Sequence, residues 1–517
     1  MKVVVLGFDG MDPGLLDELV AEGRLPTFER LREDDVYSPI DSTVIPMSPA
    51  AWSSFLTGTN PGKHGIYDFI TRTGDGINDF EVVTSDHRQA PSLWEYCNAN
   101  DLRVGVVGVP ITYPVVDLDG FMISGFPTPE HEESYAPDDL PERSPVPLED
   151  LHPDVLYDGT NRDAFVADQF RLWDAMEAFH EFALSDLDWD VYVSVFKQTD
   201  DIAHICWGEE PLYEAYERAD QVVADTIETL EDGDEEYLLV VMSDHGFGPI
   251  DKTLFLNNIL LNLDHLQLRE TLGTRVRRVL HRNGVNLLTA YRILARLGLA
   301  ESVLSMSYDD STVGTTLEWL RERFFLGVHD IDPDATDAFS RGNFGQIFLQ
   351  DETVREDLMD ALWGYDVDGE PIIEDLYTGD EEFHGPMAER APDVMIRTPD
   401  YRYVTSRGFA LATDAVLTDH VLQRTADHKP EGVFFAHGTG VEGNAPAETP
   451  TLEDLLPTIM AALGAPIPEY ADGDVIEGLG VGAVERDSYD AIDRADERRD
   501  VDSERIREQL ESLGYTG

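Results

Sequence analysis

Lys2-Val3-Val4-Val5-Leu6-Gly7-Phe8, followed by Asp9-Gly10-Met11-Asp12-Pro13, is the stretch on which the fold class turns. The run is apolar without alternation, as expected of a strand covered on both faces in a parallel sheet. Asp9-Gly10 ends it. Asp12 and Pro13 then read as the N-cap and first residue of a helix over Gly14–Glu22. Further buried strands are predicted at Val104–Val109, Trp189–Phe196, Tyr237–Met242 and Gly432–Ala436, and Thr451–Leu463 reads as a late core helix. Strands alternating with helices predict an α/β fold, its mostly parallel sheet flanked by helices.

Bulk composition narrows the class. The chain has 517 residues and is 42% hydrophobic, which suits a large globular core. Its longest apolar runs, such as Leu238–Met242, fall far short of the ~18 residues of a membrane helix. The N-terminal run is too short for a signal peptide and no small-residue cleavage site follows, so the chain reads as cytoplasmic. Cys97 and Cys206 stand too far apart to suggest a disulfide framework or a zinc finger. Against 37 basic residues stand 103 acidic ones, a net charge of −66 spread along the whole chain. That pattern resembles the proteins of salt-accumulating halophiles, where molar salt shortens the Debye length to ~3 Å. It argues against nucleic acid as a partner, which needs a basic footprint.

Polar residues gather where the strands end. Asp9, Asp200 and Asp244 each follow the carboxyl end of a predicted strand, the edge at which open α/β sheets bind ligands. Asp200-Asp201-Ile202-Ala203-His204 places Asp200 and His204 on one face of a helical turn, a carboxylate and an imidazole suited to zinc or manganese. In Ser243-Asp244-His245-Gly246-Phe247-Gly248, a strand-end loop can turn both Asp244 and His245 toward one ion. Pro46-Met47-Ser48-Pro49 opens a predicted helix that stops at Gly58, so Ser48 sits at a helix N-terminus, where free N–H groups favour an anion. Late in the chain, His428 and His437 could each complete a metal site. Asp9, Asp200, His204, Asp244, His245, one late histidine and Ser48 form an inventory for two metal ions bridged over a hydroxyl nucleophile, the arrangement that clamps an in-line phosphoryl displacement.

These motifs, in this order, resemble the alkaline-phosphatase superfamily, specifically its type I phosphodiesterase/nucleotide pyrophosphatase branch, in a halophilic archaeal-type version. The matching pieces are Phe8-Asp9-Gly10, Ser48 leading to Thr57-Gly58, Asn60-Pro61-Gly62-Lys63-His64-Gly65-Ile66, Thr199-Asp200 with His204, Ser243-Asp244-His245-Gly246, Asp427-His428 with Gly432, and Thr451 to Gly464 with Asp472-Gly473. The resemblance implies an alkaline-phosphatase-like core with an inserted cap. It implies one ion on Asp200, His204 and His428 and a second on Asp9, Asp244 and His245. Ser48 bridges them as the nucleophile that becomes phosphoserine. Zinc is the expected metal, with manganese or magnesium also compatible with the set. His428 is preferred to His437 because the family's last ligand precedes the Gly-Val-Phe-Phe strand, and His64 is expected to be structural.

The resemblance implies hydrolysis of a phosphate ester or nucleotide-like small molecule by a phosphodiesterase or pyrophosphatase. A phosphomonoesterase, or a phosphomutase like the cofactor-independent phosphoglycerate mutases, is the alternative. Two departures are visible. The branch's phosphate-binding Asn falls at Phe69, so Lys63, Asn60 or an arginine must serve phosphate instead. A sulfatase is excluded because Pro49 comes one residue early and Trp52 stands where Arg should be. Trp52, Phe69, Tyr67 and Trp207 are candidates to frame an apolar leaving group. Residues 1–250 and 385–480 are expected to form the catalytic core, 251–384 an inserted cap with some core strands, and 481–517 a charged tail. Within the cap, seven arginines (Arg269, Arg275, Arg277, Arg278, Arg282, Arg292, Arg296) interleave with apolar residues at helical spacing over 265–300. They can meet substrate phosphate, an anionic membrane surface in weak contact, or the acidic body of the protein.

Overall fold

The structure, a computed structural model, describes residues 1–129, 134–157, 159, 161–286, 289, 323–405, 413, 415–419, 424–443, 445–482, 484–492, 499 and 501–512. The central sheet begins with β1 (Lys2–Phe8), β2 (Val36–Asp41), β3 (Val104–Val107), β4 (Gly120–Ile123), β5 (Tyr135–Ala136), β6 (Val191–Phe196) and β7 (Tyr237–Met242). Two short strands, β8 (Gly246–Pro249) and β9 (Ala426–Lys429), pair with each other, and β10 (Glu431–Gly438) returns to the sheet. The order across the sheet is β2-β10-β7-β1-β6-β3-β4-β5. β1 runs parallel to β6 and β7, and β3 parallel to β6 and β4. Only β10 and β5 pair antiparallel with their neighbours. The mostly parallel α/β sheet expected from the apolar runs is what forms.

β1 shows why. Its side chains divide by parity between two cores: Val4, Leu6 and Phe8 face one, Val3 and Val5 the other. Each such side chain, buried on a covered face, contributes ~1.5–3 kcal/mol. The first core is filled from α1 (Pro13–Ala21), α3 (Arg162–Asp186), α4 (Gln198–Cys206) and α5 (Glu210–Glu231). The second takes α2 (Ser48–Thr57) and α7 (Leu455–Leu463). The predicted cap of α1 is present: Asp12 Oδ1 accepts from the Leu15 N–H at 2.8 Å. The strand expected over Val104–Val109 stops at Val107 because Gly108 turns to φ +71°, where its neighbour is the Val195 carbonyl.

A second, antiparallel sheet joins Ala338–Ser340, Ile347–Leu349, Asp375–Thr378 and Val394–Arg397 over its own apolar cluster. Most of it falls within 251–384, and its last strand comes from beyond 385. In the arginine-rich segment, α6 (Leu272–Arg282) forms as the spacing predicts. Its arginines turn largely to protein: Arg277 Nε lies 3.0 Å from Asp330 Oδ2, Arg275 pairs with Glu270, and Arg269 Nε donates to the Ile331 carbonyl at 2.9 Å. Arg292, Arg296, Leu287, Leu288, Ile293, Leu294 and Leu297 lie outside the described residues. Within the charged tail, a described helix is seated on the core. In α8 (Ser503–Ser512), Ile506 and Leu510 are fully buried in a cluster with Met47 and Phe69, beside the start of α2. Charge counting hid this, because two apolar residues a turn apart suffice to seat a helix whose other faces are charged. Among the described residues, no helix is long and apolar enough to cross a membrane.

Candidate active site at the carboxyl edge of the sheet

Parallel register brings the strand ends together. Phe8 of β1 lies opposite Phe196 of β6, and Gly7 opposite Met242 of β7. Asp9, Asp200 and Asp244 therefore emerge at one edge of three adjacent strands. Cross-bonds fix the loops: Thr199 Oγ1 donates to the Asp9 carbonyl at 2.6 Å, and the Gly10 N–H to Asp244 Oδ1 at 3.1 Å. Gly10 has φ +69°, and a Cβ there would stand 2.5 Å from the Phe247 ring. β9 delivers His428 opposite Phe247. Phe247 is the floor on which the histidines rest, its ring centre 4.8 Å from that of His204, 5.0 Å from His428 and 5.8 Å from His245.

The three histidines share one device. In each, Nδ1 faces a backbone carbonyl: Ala426 for His204 at 3.1 Å, Gly246 for His245 at 3.1 Å and Pro46 for His428 at 2.8 Å. A carbonyl oxygen only accepts, so the N–H belongs on Nδ1 and Nε2 is turned into the site. His428 Nε2 stands 3.2 Å from His204 Nε2 and 3.1 Å from Asp200 Oδ1, and His204 Nε2 stands 3.5 Å from that same oxygen. Two ring nitrogens and a carboxylate oxygen this close require a positive charge among them, a proton or a metal ion. Asp9, Asp244 and His245 make a second group whose donor atoms lie within 4.8 Å of one another. Asp244 Oδ2 accepts no hydrogen bond among the described residues and points to His245 Nε2 at 3.4 Å. Such a donor set, three carboxylates and three imidazoles, fits two divalent ions.

All six of these side chains are buried, and the electrostatics follow. Burial, then Asp244 and Asp200, raises Asp9 well above the usual carboxylate range. Burial pushes Asp244 up to about 8. Burial would raise Asp200 too, but Lys197, then His204 and His428, hold it well below its ordinary value. Burial keeps His204 and His245 well below the usual imidazole value, hence neutral.

Ser48 stands over the second group, its Oγ 3.4 Å from both Asp9 Oδ1 and His245 Nε2. It is the first residue of α2, with Met47 in the capping position, so its hydroxyl is turned to the site and caps nothing. Every residue predicted for the two metal groups is thus brought together. His437 is not: it lies beside Asp35 and Tyr237. His64 supports structure, with Nε2 3.1 Å from Ser54 Oγ.

The three predicted substrate contacts are engaged within the protein. Phe69 is fully buried against Phe126. Trp52 is fully buried, its Nε1 donating to Asp9 Oδ2 at 2.9 Å. Lys63 Nζ is held by Asp472 Oδ1 at 2.6 Å and by the Tyr470 carbonyl at 2.8 Å. Each lies near a motif in sequence, yet its partner comes from a remote part of the chain. Sequence reasoning missed Lys197, whose ammonium bridges Asp200 Oδ2 at 2.5 Å and Asp201 Oδ1 at 2.6 Å. Its signal was a lysine at a strand end, three residues before Asp200. It also missed Asp427, which groups with His204 and His428, and Phe344, whose ring stacks on His428 at 5.7 Å. Phe344 comes from the turn between two strands of the second sheet, and nothing in its sequence neighbourhood announces the contact.

The model of the type I phosphodiesterase/nucleotide pyrophosphatase family matches residues 3–420, a span that includes Asp9, Ser48, Asp200, His204, Asp244 and His245 and stops short of His428. No curated protein matches the sequence. Among solved structures, phosphonoacetate hydrolase from Sinorhizobium meliloti 1021 with phosphonoformate is similar at 14% identity and TM-score 0.55, over 88% of this chain and 94% of that one. An inactive variant of murine ectonucleotide pyrophosphatase/phosphodiesterase 5 in complex with AMP is similar at 13% identity and TM-score 0.52, over 93% and 98%. A mutant of the alkaline phosphatase PafA is similar at 15% identity and TM-score 0.50, over 93% and 98%. At such identities the likeness is one of fold.

Proposed function

The chain belongs to the type I phosphodiesterase/nucleotide pyrophosphatase family, a family of phosphoester hydrolases, and from that premise we propose that Ser48 attacks a phosphate diester at a site whose six buried side chains would hold two divalent ions. Asp200, His204 and His428 would hold one ion, and Asp9, Asp244 and His245 the other. Such a pair of ions lowers the pKa of a serine hydroxyl and neutralises the oxygens of a phosphoryl group. The observation that carries the reading is the inward turn of all three Nε2 atoms, each set by a backbone carbonyl, with the Ser48 hydroxyl 3.4 Å from that of His245.

The protein's own residues supply the rest. Ser48 Oγ bonds to phosphorus as its proton passes to the departing ester oxygen, which leaves as the alcohol; water then cleaves the Oγ–P bond of the serine phosphodiester, returning the serine hydroxyl and releasing the remaining phosphate monoester. The N-terminus of α2 directs free N–H groups at the bound phosphoryl oxygens. Lys197 keeps Asp200 ionised, as a ligand must be. Beside Phe344 and Asp427 lies a small hollow of about 20 Å³, room for about one water, lined also by Tyr401 and Tyr403. Zinc suits the balance of imidazole and carboxylate, and manganese fits the same set.

The test is hydrolysis of bis-p-nitrophenyl phosphate and p-nitrophenyl phosphate by metal-stripped protein in molar salt, with zinc or manganese added back. Metal-dependent release from the diester is the expected result. Release from the monoester alone moves the protein to the phosphatase or mutase class. No release from either substrate, with two ions bound, overturns the diesterase reading for simple aryl esters.

A further inference from the structure

Trp52 has an unusual surrounding for an aromatic residue at the bottom of a core. Helical spacing puts it one turn after Ser48 on the same face of α2. Its ring crosses β1 at Gly7, where a Cβ would stand only 2.4 Å from Trp52 Cη2. Phe55 packs edge-on against it at 5.6 Å and 89°. The indole has a single donor, and that donor reaches Asp9 Oδ2 at 2.9 Å with both residues fully buried. The other oxygen of the same carboxylate, Oδ1, is the one that faces Ser48 Oγ at 3.4 Å and His245 Nε2 at 3.7 Å. An Asp carboxylate turns easily about its last bond. Here one hydrogen bond, on a ring that cannot move, decides which oxygen faces the hydroxyl.

We propose that Trp52 is a positioning residue: its N–H holds Oδ2 of Asp9 so that the carboxylate offers Oδ1 alone to Ser48 and to an ion held with Asp244 and His245. The inference rests on the two-ion reading above and adds to it. Four features act together: a serine at the start of α2, a tryptophan one turn later, a glycine in β1 that lets the ring pass, and an aspartate at the end of β1. A tryptophan that merely fills space needs the ring and not the nitrogen.

Trp52→Phe separates the two roles, since it keeps an aromatic ring and removes the donor. Zinc titration of metal-stripped protein, read by calorimetry, is the measurement. Wild type should take up two ions. In Trp52→Phe one of the two should bind about 10–100-fold more weakly, the usual effect of losing a partner that orients a ligand, while the other is unchanged. Added zinc should then recover turnover in Trp52→Phe, while no amount recovers it in Ser48→Ala. Two unchanged affinities in a folded Trp52→Phe overturn the inference and leave the two-ion reading standing. A wild type that binds no ion overturns both. Because loss of a buried donor can also prevent folding, a second reading uses the Trp207→Phe background, which removes the indole that stacks on Phe247. Zinc added to that protein should perturb its near-ultraviolet tryptophan spectrum, and a spectrum that does not change while two ions bind overturns the inference.

Discussion

Replacing Ser48 with alanine should separate chemistry from architecture. The hydroxyl makes two contacts, to Asp9 Oδ1 and His245 Nε2, and both are 3.4 Å long. It caps no helix, since Met47 occupies that position. Its contribution to the fold is therefore no more than about 1 kcal/mol, which in a chain of this size moves the melting temperature by roughly 2 °C or less. The six candidate ligands are other residues, so two ions per chain should remain. Turnover should fall by about 10⁴-fold or more, some 5.5 kcal/mol of barrier at 1.36 kcal/mol per decade, because water must then do what the serine did. The assay is hydrolysis of bis-p-nitrophenyl phosphate beside elemental analysis of the same sample, with mass spectrometry of quenched wild-type enzyme to find one added p-nitrophenyl-phosphoryl group on the peptide carrying Ser48. Turnover within tenfold of wild type refutes the nucleophile. Loss of an ion along with turnover shows that the hydroxyl is a ligand first.

Two further outcomes follow from the same geometry. Gly10→Ala places a Cβ 2.5 Å from the Phe247 ring at φ +69°, whereas Gly23, at φ +73°, has nothing within 4 Å. Gly23→Ala should cost ~1–2 kcal/mol, the left-handed backbone alone. Gly10→Ala should cost ~2–5 kcal/mol with the displaced ring included, and equal losses by denaturant unfolding would show that the floor yields freely. His180, buried between Tyr192 and Thr226, is held down to about 3 by burial. Below the unfolded value near 6.5 the unfolded chain takes up a proton that the folded one refuses, so stability is lost as pH falls from there toward 3. Between pH 7 and 5 this amounts to ~2 kcal/mol, and in metal-stripped protein the stability of His180→Gln should fall by that much less over the same interval.

Local signals carried the parts of this molecule that depend on neighbours in sequence. The apolar run of β1, the Asp12-Pro13 helix start and the Gly58 stop each appear within a residue of their expected place. Asp200 and His204 could be paired from one helical turn, and Asp9 and Asp244 from the ends of buried runs. What could not be read was who meets whom across the chain. The hydrophobic pattern declares Trp52 and Phe69 apolar but not that one binds a carboxylate and the other packs on Phe126. Lys63 looks free until Asp472 is folded onto it. α8 looks solvated until the pocket around Met47 receives Ile506 and Leu510.

The place of β10 in the sheet bears on how the protein is made. It is wedged between β2 and β7, yet it is synthesised last of the three, 431 − 242 = 189 residues after β7 ends. At 5–20 residues per second that interval is roughly 10–40 s, during which the facing edges of β2 and β7 await their partner on the ribosome. His428 sits three residues ahead of β10, so the proposed ion-binding shell closes in the same moment as the sheet. A nascent chain therefore has no complete cage in which to trap a wrong ion early. It carries instead two open strand edges that must be kept from other chains until that last strand arrives.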